Sequence, residues 1–190
     1  MPKTLPTSTR ASALPPDERR AAIIVATKPL LFEHGEMVTT RQIATAAGIA
    51  EGTIFRVFAD KDELLAATLD AVLDLTDFEA GVRSVDPELA FEERLVIVTT
   101  MVRQRIVDVW QVVSNLGPRL KERASRPLED SDAVAEVFAS SSDRLTVPPL
   151  KAARLLHALT LAATHPMIAP EPMEPEEIVA VLLRGIEVER

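Results

Sequence analysis

The sequence predicts an all-α fold, with an N-terminal unit of three short helices followed by a larger helical domain. Three observations carry this expectation. Apolar residues recur at helical spacing through nearly every patterned stretch, strand-like alternation is almost absent, and glycine and proline fall where helix ends need them. No internal repeat is present.

The elements follow in chain order. Residues 1–16 hold no apolar stretch of signal-peptide type and read as a flexible arm. Residues 17–34 place Ile23, Ala26, Thr27, Leu30 and Leu31 at helical spacing and stop at Gly35. Pro29 lies inside this run and is expected to bend it. Thr39 with Gln42 forms a capping-box pattern that opens a second helix, ending near Ala47, with Gly48 suited to a left-handed turn. A third helix is expected over 50–57. Asp60 with Glu63 opens a fourth that continues to about residue 78.

The chain breaks around Pro87, and a long helix then runs to about Asn115. Shorter helices are expected at 118–123 and 132–140, with turns at Pro118 and in the stretch RASRPLEDSD. A helix after Pro148 and Pro149 ends before Pro166, and the last covers about 175–188. These elements divide into the arm (1–16), a three-helix domain (17–60) and a helical domain (61–190).

Composition narrows the function. The 190-residue chain is 47% hydrophobic and 26% charged, as soluble globular proteins are. It has no cysteine, which excludes disulfides and thiolate metal sites. No run is apolar and long enough to span a membrane, so no membrane role is expected and a cytoplasmic location is the default. The net charge of −8 argues against indiscriminate nucleic-acid binding. Residues 1–65 nevertheless balance eight Lys/Arg against eight Asp/Glu, so the remainder carries the whole excess. His34, His157 and His165 are the only histidines and show no tight ligand spacing, so no metal or cofactor site is expected. There is no phosphate-binding glycine loop and the abundant acidic residues read as solvated faces, so an enzyme is not expected.

The stretch TTRQIATAAGIAEGTIFRVF meets the physical needs of a helix-turn-helix. Ala44 is small where two helices must approach, Gly48 permits the turn, and Ile43, Ile49 and Ile54 can share an apolar seam with Ile23 and Leu31. In such a unit the second helix enters the major groove with its N-terminal residues facing base edges. The exposed residues there are Ala50, Glu51, Gly52, Thr53 and Arg56. Gly52 allows close backbone approach, Thr53 can meet phosphate or a thymine methyl, and Arg56 can reach guanine or phosphate.

The longer stretch VTTRQIATAAGIAEGTIFRVFADKDELL resembles the DNA-binding region of TetR-family transcriptional repressors. The resemblance is specific over residues 17–65. It implies an all-helical homodimer that binds operator DNA through its N-terminal helix-turn-helix domain and is released by a small ligand held in its C-terminal ligand-binding and dimerisation domain. Carried over, it implies phosphate contacts from Thr39, Thr40 and Arg41, a reading surface of Ala50, Glu51, Gly52, Thr53, Phe55 and Arg56, and a phosphate contact from Lys61. Ala50 stands where serine often caps the third helix, and Phe55 where tyrosine is usual, which removes a hydroxyl. Arg10, Arg19 and Arg20 either reach the duplex or belong to a solvated tail.

Glu51 stands against a polyanion. One reading is that it complements the positive end of an uncapped helix. Another is that it accepts from a cytosine amino group or repels non-specific duplex.

In the second domain the last two helices are too apolar for one buried stripe. Leu156 and Ala163 on one, with Ile178, Leu182 and Ile186 on the other, are the expected dimer interface of a four-helix bundle; burial within one subunit is the alternative. Met101, Arg105, Trp110, Val113, Phe138, His157 and Leu159 are the candidate pocket residues, for an apolar or amphipathic effector. A competing expectation is an all-helical protein-interaction module that keeps the fold without operator binding.

Overall fold

The computed structural model describes residues 15–125 and 130–188. The expected arm lies outside the described residues up to residue 14, and Pro16 already occupies the first turn of a helix. The described residues form ten α-helices and no strand. The helices are α1 (Pro16–His34), α2 (Thr40–Ala46), α3 (Glu51–Ile54), α4 (Lys61–Leu73), α5 (Thr76–Arg83), α6 (Phe91–Ser114), α7 (Pro118–Ala124), α8 (Asp132–Ala139), α9 (Pro149–Thr164) and α10 (Pro175–Ile186). Among the described residues no helix is long and apolar enough to cross a membrane.

Two apolar cores organise the chain. The first gathers Ile23 and Leu31 of α1, Ile43 and Ala44 of α2, Ile54 of α3 and Phe58. It continues past residue 60 into Leu64, Leu65 and Leu69 of α4, then takes in Val112, Leu116 and Leu120. The sequence boundary at 60/61 is therefore no boundary in packing. The second core lies between α6, α8, α9 and α10, around Leu95, Val98, Phe138, Leu156 and Ile178. The α6 helix runs through both.

Five buried threonines sit inside these apolar faces. Thr27, Thr68, Thr99, Thr160 and Thr164 each donate their hydroxyl to the carbonyl four residues earlier, at 2.6–2.8 Å. That local bond satisfies the only polar atom the side chain buries, which lets threonine occupy a core stripe.

The expected helix over 60–78 is in fact two. Asp60 caps α4 as expected, accepting from the Glu63 amide at 2.8 Å. At Asp74 the backbone turns extended, and the Asp74 carboxylate accepts from the Thr76 amide at 2.8 Å. The new start at Thr76 redirects the chain, so α5 packs against α8 and α6 instead of prolonging α4. The α1 helix runs unbroken through Pro29.

The N-terminal unit is docked onto the second domain by two glycines. Gly35 follows α1 at φ +54° and ψ −139°, a region open essentially to glycine alone. A Cβ there would lie 2.3 Å from the Asn115 carbonyl oxygen. Gly117, after α6, lies against the Glu36 carboxylate, 2.4 Å from where its own Cβ would stand. The end of α1 and the α6–α7 turn thus meet closely, backbone to backbone at Gly35 and Asn115 and backbone to carboxylate at Gly117.

Candidate nucleic-acid interface and effector cavity

The reading head is built from α2, the turn at Gly48 and α3. Thr39 caps α2 with a complete capping box, its hydroxyl accepting from the Gln42 amide while the Gln42 side chain accepts from the Thr39 amide at 2.8 Å. Gly48 takes φ +66°, and the Ile49 amide donates to the Ala44 carbonyl at 3.0 Å to close the turn. Ile43, Ala44 and Ile54 are buried beneath the two helices. Ile49, expected in the same seam, is only half-buried.

The third helix is shorter than the sequence predicts. Regular α-structure ends at Ile54, and the chain tightens to three-residue bonding, Arg56 N–H to Thr53 at 3.2 Å and Val57 N–H to Ile54 at 2.9 Å. With Ala50 supplying no side-chain cap, one α-turn is all that forms before Val57 and Phe58 turn inward. Ala50, Glu51, Gly52, Phe55 and Arg56 are exposed, and Thr53 is half-buried. Phe55 is 51% exposed, an apolar side chain presented to solvent beside Arg56.

Glu51 has a partner that neither sequence reading named. Its carboxylate accepts from the Thr40 hydroxyl at 2.5 Å, which ties the start of α3 to the start of α2. Thr40 therefore directs its hydroxyl proton to Glu51, and a phosphate placed at this point would compete with Glu51 for it. Replacing Glu51 with serine should leave folding nearly unchanged, since the bond is solvent-exposed. It should strengthen binding to any duplex, because a negative charge leaves the DNA-facing side. Affinities for random duplex measured at two salt concentrations check this; weaker binding by Glu51→Ser would contradict it.

Other cations are also engaged. The Lys61 ammonium donates to the Glu36 carbonyl at 2.7 Å, pinning α4 to the 3-10 turn Gly35–Met37 while two of its three donors remain for a phosphate. Arg20 is not part of a solvated tail. It lies on α1, over the Phe58 ring at 4.3 Å, and pairs with Glu63 at 3.0 Å. The Glu63 carboxyl is held below its ordinary pKa by the Ala59 amide first and by Arg20 second. Thr39 and Arg41 stand exposed at the start of α2.

A cavity of about 430 Å³ opens between α4, α5, α6, α8 and α9. Of the seven expected pocket residues, Arg105 and His157 line it. The other five do not. Phe138 is fully buried against Phe91, with ring centroids 6.0 Å apart, and Trp110 packs edge-on to His165 at 4.2 Å. Val113 packs into the N-terminal core, and Met101 and Leu159 pack against the second. The sequence reading missed Leu73, Leu75 and Phe78, because the break at Asp74 that turns them toward α6 was hidden in an expected continuous helix. It also missed Val102, Val109, Val134 and Arg154.

Arg105 reaches from α6 to donate to the Leu73 carbonyl at 2.5 Å, satisfying an orphan acceptor at the C-terminal end of α4. Its guanidinium lies 5.7 Å from the Phe78 ring centre. His157 is held below its ordinary pKa, by burial first and by the Arg105 charge second. It is therefore a neutral imidazole at neutral pH.

The expected dimer residues need correction. Leu156, Ala163, Ile178, Leu182 and Ile186 are buried in the subunit's own core and present nothing to a partner. The closing helix is held from within: Thr146 N–H donates to the Ile186 carbonyl at 2.7 Å, and Arg144 pairs with both Glu92 and Glu187. The outward stripe is displaced by one residue, to Leu155 (37% exposed) and half-buried Leu159 on α9 and Val181 (46% exposed) on α10.

Residues 23–68, which contain the whole reading head, match the model of the bacterial regulatory proteins of the tetR family. Over these residues the chain is similar to the DNA-binding region of the tetR family. It is also similar to the HTH-type transcriptional regulator HbdR of Aromatoleum sp. (strain CIB), 44% identical over 64 residues. That match spans 33% of this chain and 28% of the relative's own length. The fold extends further than the sequence match. A protein described as a TetR-family regulator from Mesorhizobium loti MAFF303099 superposes with a TM-score of 0.66 at 17% identity, covering 93% of this chain and all of the other. SmeT, the repressor of the Stenotrophomonas maltophilia multidrug efflux pump SmeDEF, gives 0.56 at 21% identity over 90% of this chain and 91% of its own. These likenesses show the fold alone, an N-terminal helix-turn-helix unit followed by a larger helical domain.

Proposed function

We propose that this protein is a ligand-responsive transcriptional repressor of the TetR family, binding operator DNA as a homodimer and released by a small amphipathic effector. The observation that carries the reading is the exposed face of α3 and the turn after it. There Thr53, Phe55 and Arg56 stand over a buried apolar floor at a glycine-closed turn, within the segment that matches the family. SmeT, alike in fold, is by name a repressor.

The arrangement supports allosteric linkage between cavity and DNA. The α4 helix touches the cavity through Leu73 and, through Lys61 and Glu63, holds the 3-10 turn at Glu36 and Arg20 of α1, the helix that packs against α2 and whose Arg20 donates to the Val57 carbonyl after α3. An effector that displaces the Arg105–Leu73 bond acts on the far end of the helix that positions the head. Effector and operator must then weaken each other by the same factor.

Two substitutions test the DNA half. Arg56→Ala should weaken specific binding by about 1–3 kcal/mol and relax preference at one or two base pairs. Lys61→Ala should weaken all duplexes alike and lower the salt slope by about 1. Fluorescence anisotropy with operator and random duplex at two salt concentrations separates them. If the chain shows no preference for any duplex, an interaction module becomes the better description.

A further inference from the structure

The reading head carries an apolar ring that the fold does not bury. Ile54 and Phe58 fill the inward side of α3 and the turn after it. Phe55, beside Ile54 in the chain, is 51% exposed. Gly52, Phe55 and Arg56 lie three and four residues apart and share the exposed side. Gly52 is equally unexplained from within. Its φ is not positive, and among the described residues no atom lies within 4 Å of where its Cβ would stand. Alanine would fit there and favours a helix more than glycine does. Bare backbone therefore lies one turn before an outward phenyl ring, and nothing inside the subunit requires either.

The chemistry of the ring limits what it can meet on DNA. A phenyl group has no donor or acceptor, so it bonds neither phosphate oxygens nor the polar atoms of base edges. The major groove presents one apolar group at a base edge, the 5-methyl of thymine, and contact from phenylalanine is one way that methyl is read. The neighbours suit other work. The Glu51 carboxylate accepts from the Thr40 hydroxyl, and the Arg56 guanidinium suits guanine or phosphate. Thr53 carries a methyl of its own, but it is half-buried where Phe55 is exposed. One ring flanked by Glu51, Gly52 and Arg56 is not the contiguous apolar patch that marks a protein-docking surface.

We propose that Phe55 is a specificity-determining residue that reads the 5-methyl group of one thymine in each half-site, with Gly52 giving the base edge room to reach the ring. This rests on the repressor reading above and specifies one position of its operator.

The test is binding of the full chain to the duplex it enriches from a random pool, resynthesised with uracil in place of thymine one position at a time. Uracil keeps the pairing and removes only the methyl. One thymine in each half-site is expected to lose about fourfold in affinity on this change, and the symmetric double replacement about fifteenfold, as the loss of one buried methyl per head requires. Phe55→Ala should bind the thymine duplex more weakly and no longer distinguish it from the uracil duplex. Phe55→Leu, still apolar, should keep the distinction, and so should Thr53→Ser, which removes only the competing methyl. Gly52→Ala should lose affinity for the thymine duplex without melting at a lower temperature. No thymine sensitive to uracil, a distinction that survives Phe55→Ala or vanishes in Thr53→Ser, or full affinity in Gly52→Ala would each overturn the proposal. The uracil scan uses the unaltered protein, so it does not depend on any variant folding. A chain that enriches no duplex overturns the repressor reading and this proposal with it, whereas an enriched duplex indifferent to uracil overturns the proposal alone.

Discussion

Replacing Gly35 with alanine should destabilise the protein by about 2–6 kcal/mol, adding backbone strain of about 1–3 kcal/mol to overpacking of about 1–3 kcal/mol. The backbone at φ +54° and ψ −139° suits no side chain, and the new methyl would stand 2.3 Å from the Asn115 carbonyl oxygen and 2.9 Å from Asn115 Cβ. A main-chain carbonyl at the end of a 24-residue helix cannot swing aside as a side chain would. For a chain of this size the loss lowers the melting temperature by roughly 4–24 °C. Gly48→Ala is the control. Its φ of +66° is also left-handed, but nothing lies within 4 Å of the added carbon, so only the backbone cost of about 1–2 kcal/mol applies. Thermal melts of the two variants should therefore differ clearly. Equal melting temperatures would show that the α1–α6 dock is not the tight contact described.

Val181→Glu and Leu155→Glu should leave the subunit folded and split the proposed dimer, with operator affinity falling at least about a hundredfold because one head covers only a half-site. Both side chains face outward on the helices assigned to the bundle. Leu182→Glu, one residue on, should instead unfold the protein, because it buries an unpaired carboxylate at a cost of several kcal/mol. Sedimentation and circular dichroism on the three variants separate these outcomes. A folded monomer from Leu182→Glu, or an intact dimer from Val181→Glu, would return the interface to the buried register.

The contrast between those neighbours shows where sequence reasoning stops. The reading head was legible almost residue by residue, because its signals are local: the Thr39–Gln42 box, the glycine at 48 and three isoleucines at fixed spacing. Even there, the Glu51–Thr40 bond joins residues eleven apart and follows only from how α2 and α3 cross. The five residues expected to face a partner lie instead in the subunit's own core, because α10 is apolar on most of its circumference and such a pattern does not say which stripe faces inward. The cavity was missed at Leu73, Leu75 and Phe78 because periodicity carried across Asp74. The signal was present, an aspartate two residues before a threonine whose amide it caps, but it competes with a strong helical pattern and has no glycine or proline to mark it. Arg105 and His157 were found because polar groups within apolar runs stand out without knowledge of the turn.

The most direct test of the central claim is selection of bound duplexes from a random pool by the full chain, with washes at rising salt. The account predicts enrichment of a pseudo-palindrome whose half-sites lie about one helical turn, or a multiple of it, apart, as two symmetry-related heads require. Recovery of an unenriched pool at every salt concentration, or binding lost without sequence preference as salt rises, would contradict it.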